Sequence, residues 1–288
     1  MNRSVKKLAI AAAVMVAAGI LLTGIGWMAG GNQPVYLDRD GIHVGGRDGS
    51  AGSARLESFF LEAEDFSSIH VDLDYYDVDL VPGNKFAVDG TFFSEEEIPE
   101  VKVENGDLIV REKDRKGLNI NIDLPGLFTN DDRPRIRIHY PENTKLTNLV
   151  IKCDASDLAF ENLTADKADF ELDFGKLEID GLTAGTVTVN MDSGDCTLKG
   201  IKADDLKIDS DLGKVTVEGA ETASLRIDAD SGEVSLTDIT ADRGEVYADL
   251  GRVGGKNLMT KGLKVESNSG EVNLQGKLSG LTDISTDM

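Results

Sequence analysis

Two stretches decide the fold: Met191-Asp-Ser-Gly-Asp-Cys-Thr-Leu-Lys-Gly200 and Ser210-Asp-Leu-Gly-Lys-Val-Thr-Val-Glu-Gly219. The second restates the first one period later, and the phrase returns in both directions along the chain. Gly175, Gly194, Gly213, Gly232, Gly251 and Gly270 recur with a 19-residue period, and Ser156 holds the same register one period earlier. Two residues before these marks stand Asp154, Asp173, Asp192, Asp211, Asp230, Asp249 and Asn268, with Asp287 continuing the series. Two residues after them the column is apolar, from Leu158 and Leu177 through Cys196 to Val215, Val234, Val253 and Val272. Six after, it reads Asn162, Gly181, Gly200, Gly219, Asp238, Asn257, Gly276, all residues that tolerate left-handed backbone.

The second half of each repeat alternates with period two. Val187, Val189 and Met191 enclose Thr188 and Asn190, and Leu225, Ile227 and Ala229 enclose Arg226 and Asp228. Such alternation marks strands with one buried face. Each repeat therefore reads as two short strands joined at Gly, Asn or Asp turns. A unit of this kind cannot bury its apolar face alone, whereas stacked units bury a continuous core. The fold class that follows is all-β, a single-stranded parallel β-solenoid (β-helix) of 19-residue coils, and seven coils at about 4.8 Å each would span roughly 34 Å. A propeller is disfavoured, because its blades need about 40–45 residues.

One column tests the stacking. Directly after the marks come Asp157, Lys176, Asp195, Lys214, Glu233, Arg252 and Glu271, alternating in sign from Asp157 onward. Directly before them, Phe174, Ser193, Leu212, Ser231, Leu250 and Ser269 alternate in size. Stacking predicts opposite charges on neighbouring coils, each pair worth about 0.2–1 kcal/mol, and a duplicated unit of two coils. The Asp column has two readings. Each carboxylate accepts a backbone N–H in an Asx-type turn, or the column binds Ca²⁺ with help from Glu171, Asp209 and Asp228. The turn is the preferred reading, so no cofactor is expected, with calcium left open.

Residues 56–152 form the irregular amino-terminal part of the solenoid, and 153–288 the regular part. In the former, Ile69-His-Val-Asp-Leu-Asp-Tyr-Tyr-Asp-Val-Asp-Leu80 alternates closely, and Asp74, Tyr76 and Val78 imitate the coil register. The acidic loop 93–99 and the apolar pair Leu127 and Phe128 interrupt it.

Upstream, Leu8 to Gly30 is an uncharged 23-residue run, preceded by Arg3, Lys6 and Lys7. A helix of that length crosses a hydrocarbon core of about 30 Å. The basic tail, residues 1–7, places the amino terminus in the cytoplasm and the main domain outside. A cleaved signal peptide would carry an apolar region of about 7–15 residues, so an uncleaved, single-pass anchor over 8–30 is expected. Residues 31–55, rich in Gly, Asp, Ser and Arg, read as a flexible linker with a weak strand signal at Ile42–Val44.

The 288 residues hold 52 acidic side chains against 30 basic, a net charge of −22. That balance excludes nucleic acid as a partner, because a polyanion is repelled. The acidic surplus lies beyond residue 30. His43, His70 and His139 have no metal-ligand spacing. No nucleophile elbow, dinucleotide fingerprint or phosphate loop occurs. Cys153 and Cys196 read as small core residues. No catalytic, cofactor-binding or metal-binding residue can be named, and the chain is read as a non-enzyme.

The basic tail, one span, Gly/Asp linker, the phrase at 69–80, Ile136-Arg-Ile-His-Tyr-Pro-Glu142, Leu149-Val-Ile-Lys-Cys-Asp-Ala-Ser-Asp157 and the Asp-x-Gly coils together resemble the bacterial putative-adhesin family, which includes LiaG-like proteins. The resemblance covers roughly residues 60–288 and implies a membrane-anchored extracytoplasmic β-solenoid, with no catalytic residues to transfer. The functional expectation is a surface adhesion or interaction scaffold meeting an envelope component or membrane protein. The alternatives are a part of envelope-stress signalling that contacts a membrane sensor, or a polysaccharide-active enzyme.

Overall fold

The computed structural model describes residues 57–92, 97–113 and 133–286 in full, together with the backbone of Val35–Asp38, Gly41–Val44 and Ile120–Asn121. The chain divides into two units, one of residues 1–55 and 114–132 and the other of 56–113 and 133–288. In the first, β1 (Val35–Asp38) and β2 (Gly41–Val44) pair antiparallel, and β9 (Ile120–Asn121) joins β1. The strand signal at Ile42–Val44 is thus a strand within the segment read as a linker. The apolar run 8–30 lies outside the described residues. Among the described residues no helix is long and apolar enough to cross a membrane.

The second unit is a parallel β-solenoid of about seven coils. Its regular part runs through β11 (Lys145–Ala155), β12 (Leu158–Glu218), β13 (Glu221–Thr237), β14 (Thr240–Thr260), β15 (Leu263–Leu278) and β16 (Thr282–Thr286). These pair in parallel at the predicted period: Leu206 lies against Leu225, Ile227 against Val246, and Val246 against Val265. β12 is 61 residues long because pairing with the neighbouring coils continues through the corners, although the backbone turns there.

The alternation read from the sequence explains the interior. Leu158, Leu177, Cys196, Val215, Val234 and Val253 form one buried column, and Phe170, Val189, Ile208, Ile227, Val246 and Val265 another. Burying each such side chain contributes about 1.5–3 kcal/mol, so stacking rather than the single coil stabilises the fold. Turns fall where left-handed backbone was expected: Asn162, Gly181, Gly200, Gly219, Asp238 and Asn257 have φ of 52, 85, 60, 68, 55 and 56°.

That column stops one coil early. Gly255 faces Leu274, but Leu258 faces Gly276, so the register slips and this pair is one residue short of the period. An added Cβ at Gly276 would lie 2.2 Å from the Leu258 carbonyl oxygen, so Gly276 serves close approach there.

The irregular part is the continuation of the solenoid that the sequence suggests, but its coils are not stacked in chain order. β4 (Ser68–Leu73) lies parallel against β11, and β5 (Asp77–Gly83) against β12, with Leu73 opposite Cys153 and Val78 opposite Leu158. The next coil outward holds β8 (Asp107–Arg111) on β4 and β10 (Arg135–Pro141) on β5, both parallel. The chain therefore lays down an inner coil, runs outward, and returns over the inner coil. Antiparallel strands cover this end: β7 (Glu100–Glu104) on β8, and β6 (Ala87–Phe92) on β10, with β3 (Glu57–Glu62) on β6. They satisfy edges that would otherwise present unpaired amides.

Candidate functional site: the glycine corner and its flanking columns

The corner of each coil spans four residues, from the Asp two before the glycine to the charged residue after it. Gly175, Gly194, Gly213, Gly232 and Gly251 have φ between 132 and 149°. Each lies on its counterpart one coil below, so that a Cβ on Gly213 would stand 1.8 Å from the Gly194 carbonyl oxygen. The corner thus needs glycine for both conformation and space, which fixes the side chains on either side in register.

On one side of the glycine the predicted charge ladder forms. Lys214 stands opposite Glu233, Glu233 opposite Arg252, and Arg252 opposite Glu271. Lys214 Nζ is 3.9 Å from Glu233, and Arg252 Nε is 3.4 Å from Glu271. The other steps differ from a ladder of side-chain pairs. The Lys176 amide donates to Asp157 Oδ1 at 2.9 Å, and the Lys214 amide to Asp195 Oδ1 at 3.3 Å. A short Asp side chain reaches the main chain one coil above, whereas Glu reaches the cationic tip. The Asp157 amide in turn donates to Asp77 Oδ1 at 3.1 Å, which carries the series into the inner coil of the irregular part.

The Asp column behaves otherwise than the turn reading expects. Among the described residues no backbone amide donates to the carboxylates of Asp154, Asp173, Asp192, Asp211 or Asp230; the ladder acids Asp157 and Asp195 take that role. No cation forms an ion pair with these five either, among the described residues. Burial, followed by the nearby Asp74 and Asp173 charges, holds the Asp154 carboxyl above the ordinary range. Further along, Asn268 donates to Asp249 Oδ1 at 2.7 Å. The three acids that a calcium reading would recruit hold cations instead. Glu171 is 2.5 Å from Lys152, Asp209 is 2.5 Å from Lys207, and Asp228 is 2.8 Å from Arg226. No cluster of three or more His, Cys, Asp or Glu suited to a metal occurs among the described residues.

Between the Asp column and the glycines runs the column that alternates in size. Phe174, Leu212 and Leu250 are 60, 55 and 58% exposed, and Tyr75, at the same place in the inner irregular coil, is 56% exposed. Leu212 stands opposite Ser231, Ser231 opposite Leu250, and Leu250 opposite Ser269. Sequence reading found the alternation but not that these side chains face solvent. The signal was present in their neighbours, since they sit outside the period-two apolar set.

The remaining candidates are dispersed. His139 Nε2 is 2.5 Å from Asp89 Oδ2 on β10 and β6, His70 is half-buried on β4, and His43 lies in β2. Cys153 and Cys196 are unpaired and buried, and burial pushes both thiols up to about 12, which removes the thiolate a nucleophile needs. An open groove of about 490 Å³ carries Asp79, Glu161, Glu178, Asp180 and Lys199. Burial raises the Asp79 carboxyl, against the effect of Arg135 at 3.2 Å. Leu127, Phe128 and Phe93–Glu96 lie outside the described residues.

These features define a parallel β-solenoid repeat protein whose surface columns are ordered by a glycine corner. The chain belongs to the Toastrack DUF4097 family, whose profile matches residues 66–287. This agrees with the resemblance carried by the strand phrase at 69–80 and the Asp-x-Gly coils. No curated protein matches the chain. Solved structures similar to it include one described as a putative lipid binding protein from Parabacteroides distasonis, 16% identical, covering 81% of this chain and 98% of that one with a TM-score of 0.46. A putative adhesin from the same organism is 15% identical, covering 80% and 97% with a TM-score of 0.43. A putative cell adhesion protein from Clostridium sporogenes is 14% identical, covering 77% and 100% with a TM-score of 0.35.

Proposed function

We propose that the chain is a non-enzymatic interaction scaffold, anchored in the cell membrane through residues 8–30 with its solenoid outside the cytoplasm. The observation that carries this reading is the fixed register of the outer columns. A stack held at one spacing by close glycine contacts presents apolar and charged side chains at regular intervals, which suits binding over an extended surface. The uncharged 23-residue run and the bases before it support the anchor and its orientation. The acidic exterior supports an envelope component or membrane protein with basic character as the partner, and argues against nucleic acid.

Cross-linking on intact cells, at rest and under envelope stress, tests the reading. A reproducible partner captured through the solenoid is expected, and capture of none in either condition overturns it. The acid-bearing groove favours one rival, cleavage of an envelope polysaccharide. Release of reducing ends by the purified chain, lost in Glu178→Gln, would replace the scaffold with an enzyme.

A further inference from the structure

We propose that the column Tyr75, Phe174, Leu212, Leu250 is a docking ridge for an amphipathic helix of another polypeptide, with apolar side chains a heptad apart and Lys or Arg beside them. This rests on the scaffold reading and names the partner's chemistry.

The coil itself makes no use of these side chains. Ser193 and Ser231 occupy the same corner position in intervening coils, before Gly194 and Gly232 with φ of 141 and 147°, so folding does not require the large residues. Yet four of them stand more than half exposed in one line. Apolar side chains arranged contiguously on a surface mark interaction sites, unlike those scattered singly.

Their spacing selects the partner's secondary structure. Two coils advance about 9.6 Å at the usual separation of strands. Residues seven apart on a helix advance about 10.5 Å, a mismatch of about 0.9 Å per step that flexible side chains absorb. An extended strand presents one face every ~6.6 Å, or every ~13 Å at twice that interval, and fits neither way. Four anchors at two-coil intervals span about 29 Å, and a helix that carries four residues a heptad apart has about 22 residues or more.

Charge selects the rest. The unpaired carboxylates of Asp154, Asp173, Asp192, Asp211 and Asp230 run beside the ridge on one flank. On the other flank the ladder satisfies itself, as in Lys214 with Glu233 and Arg252 with Glu271. A partner therefore gains by placing cations over the Asp column. A second copy of this chain laid antiparallel along the ridge brings its own Asp column against the first, and an anionic lipid surface is repelled by it. Both are disfavoured against a basic helix.

The test uses the full chain in detergent and a synthetic helical peptide of about 25 residues, with four Leu spaced seven apart and Lys along one side. Fluorescence anisotropy is read at low and high salt. Binding is expected, weakened by salt. A variant carrying Phe174→Ser, Leu212→Ser and Leu250→Ser, which copies the intervening coils, is expected to bind about tenfold more weakly. Asp173→Asn with Asp192→Asn and Asp211→Asn is expected to flatten the salt dependence while keeping residual affinity. No binding at any salt, equal binding by the Ser variant, or equal binding of a scrambled peptide of the same composition overturns the ridge. So does a wild-type dimer that the Ser variant turns to monomer, since the ridge would then serve a second copy. Cross-linking the Ser variant on cells separates the two readings. If it captures the same partners as wild type, the scaffold stands and the ridge falls; if neither captures any, the scaffold reading itself fails.

Discussion

Gly213 lies directly over Gly194, so closely that a Cβ on the upper residue would stand 1.8 Å from the carbonyl oxygen of the lower. At Gly219 the situation differs. Its φ is 68° and the nearest atom to an added Cβ is 3.7 Å away. Both glycines adopt backbone that L residues disfavour, but only one also lacks room. Gly219→Ala should cost about 1 kcal/mol, a fall in melting temperature of roughly 3 °C. Gly213→Ala should cost about 3 kcal/mol or more, since the backbone of two coils must part. Gly219→Asn should be nearly neutral, because Asn162 and Asn257 hold the same place at φ of 52 and 56°. Thermal unfolding by circular dichroism checks all three, and equal losses for the two Ala variants would contradict the stacking.

Lys214→Glu places three acids in succession from Asp195 to Glu233. An attraction becomes a repulsion at each neighbour, and the melting temperature should fall by about 3–6 °C in low salt. The fall should shrink in high salt, because these side chains are exposed and screened. The Asp195 bond to the Lys214 amide survives the change, since the donor is main chain. An equal loss at both salts would mean that charge is not the cause.

Asp154→Asn should act in the opposite sense. Burial, with the Asp74 and Asp173 charges, holds the folded carboxyl above its ordinary 3.8. A group raised on folding gives stability that is present below the unfolded value and lost as pH rises through the folded one. Removing the charge should therefore raise the melting temperature at pH 7 by about 1–3 °C, with the gain fading below about pH 4. A gain that persists undiminished at pH 3 would point to packing rather than charge.

Cys153 and Cys196 should resist alkylation in the folded chain at pH 8 and react after denaturation. Burial pushes both thiols up to about 12, and neither is exposed. Mass spectrometry after a short pulse of iodoacetamide reads this directly. Labelling of Cys196 in the native protein would mean that the coil opens locally.

The regular coils were legible because each side chain repeats its environment once per coil, so Val215 and Val234 report the same interior. The left-handed turns were legible for the same reason, from Asn162 to Asn257. Three features were not. The stacking of β8 and β10 outside β4 and β5 depends on contacts between residues far apart in sequence, such as Ile136 with Val78, and no local pattern carries them. The slip between Gly255 and Leu258 has no counterpart in the 19-residue pattern; it falls where Leu258 and Leu274 would both meet an added Cβ on Gly255 at 2.7 Å, which is a matter of shape. The role of Asp157 and Asp195 as acceptors for main-chain amides depends on side-chain length across a coil step, while the ladder pattern encodes only sign. The ridge was half legible, since the alternation of Phe174 and Ser193 was plain and its exposure was not.

Large with small, and positive with negative, alternate from coil to coil along the same corner. Excising one coil would set Lys176 beside Lys214 and Phe174 beside Leu212, while excising two would leave both edges as they are. The molecule is thus a ruler graduated in double coils. Its reach can be lengthened or shortened in increments of about 9.6 Å and no finer, and a helix resting on it would gain or lose one heptad at each graduation.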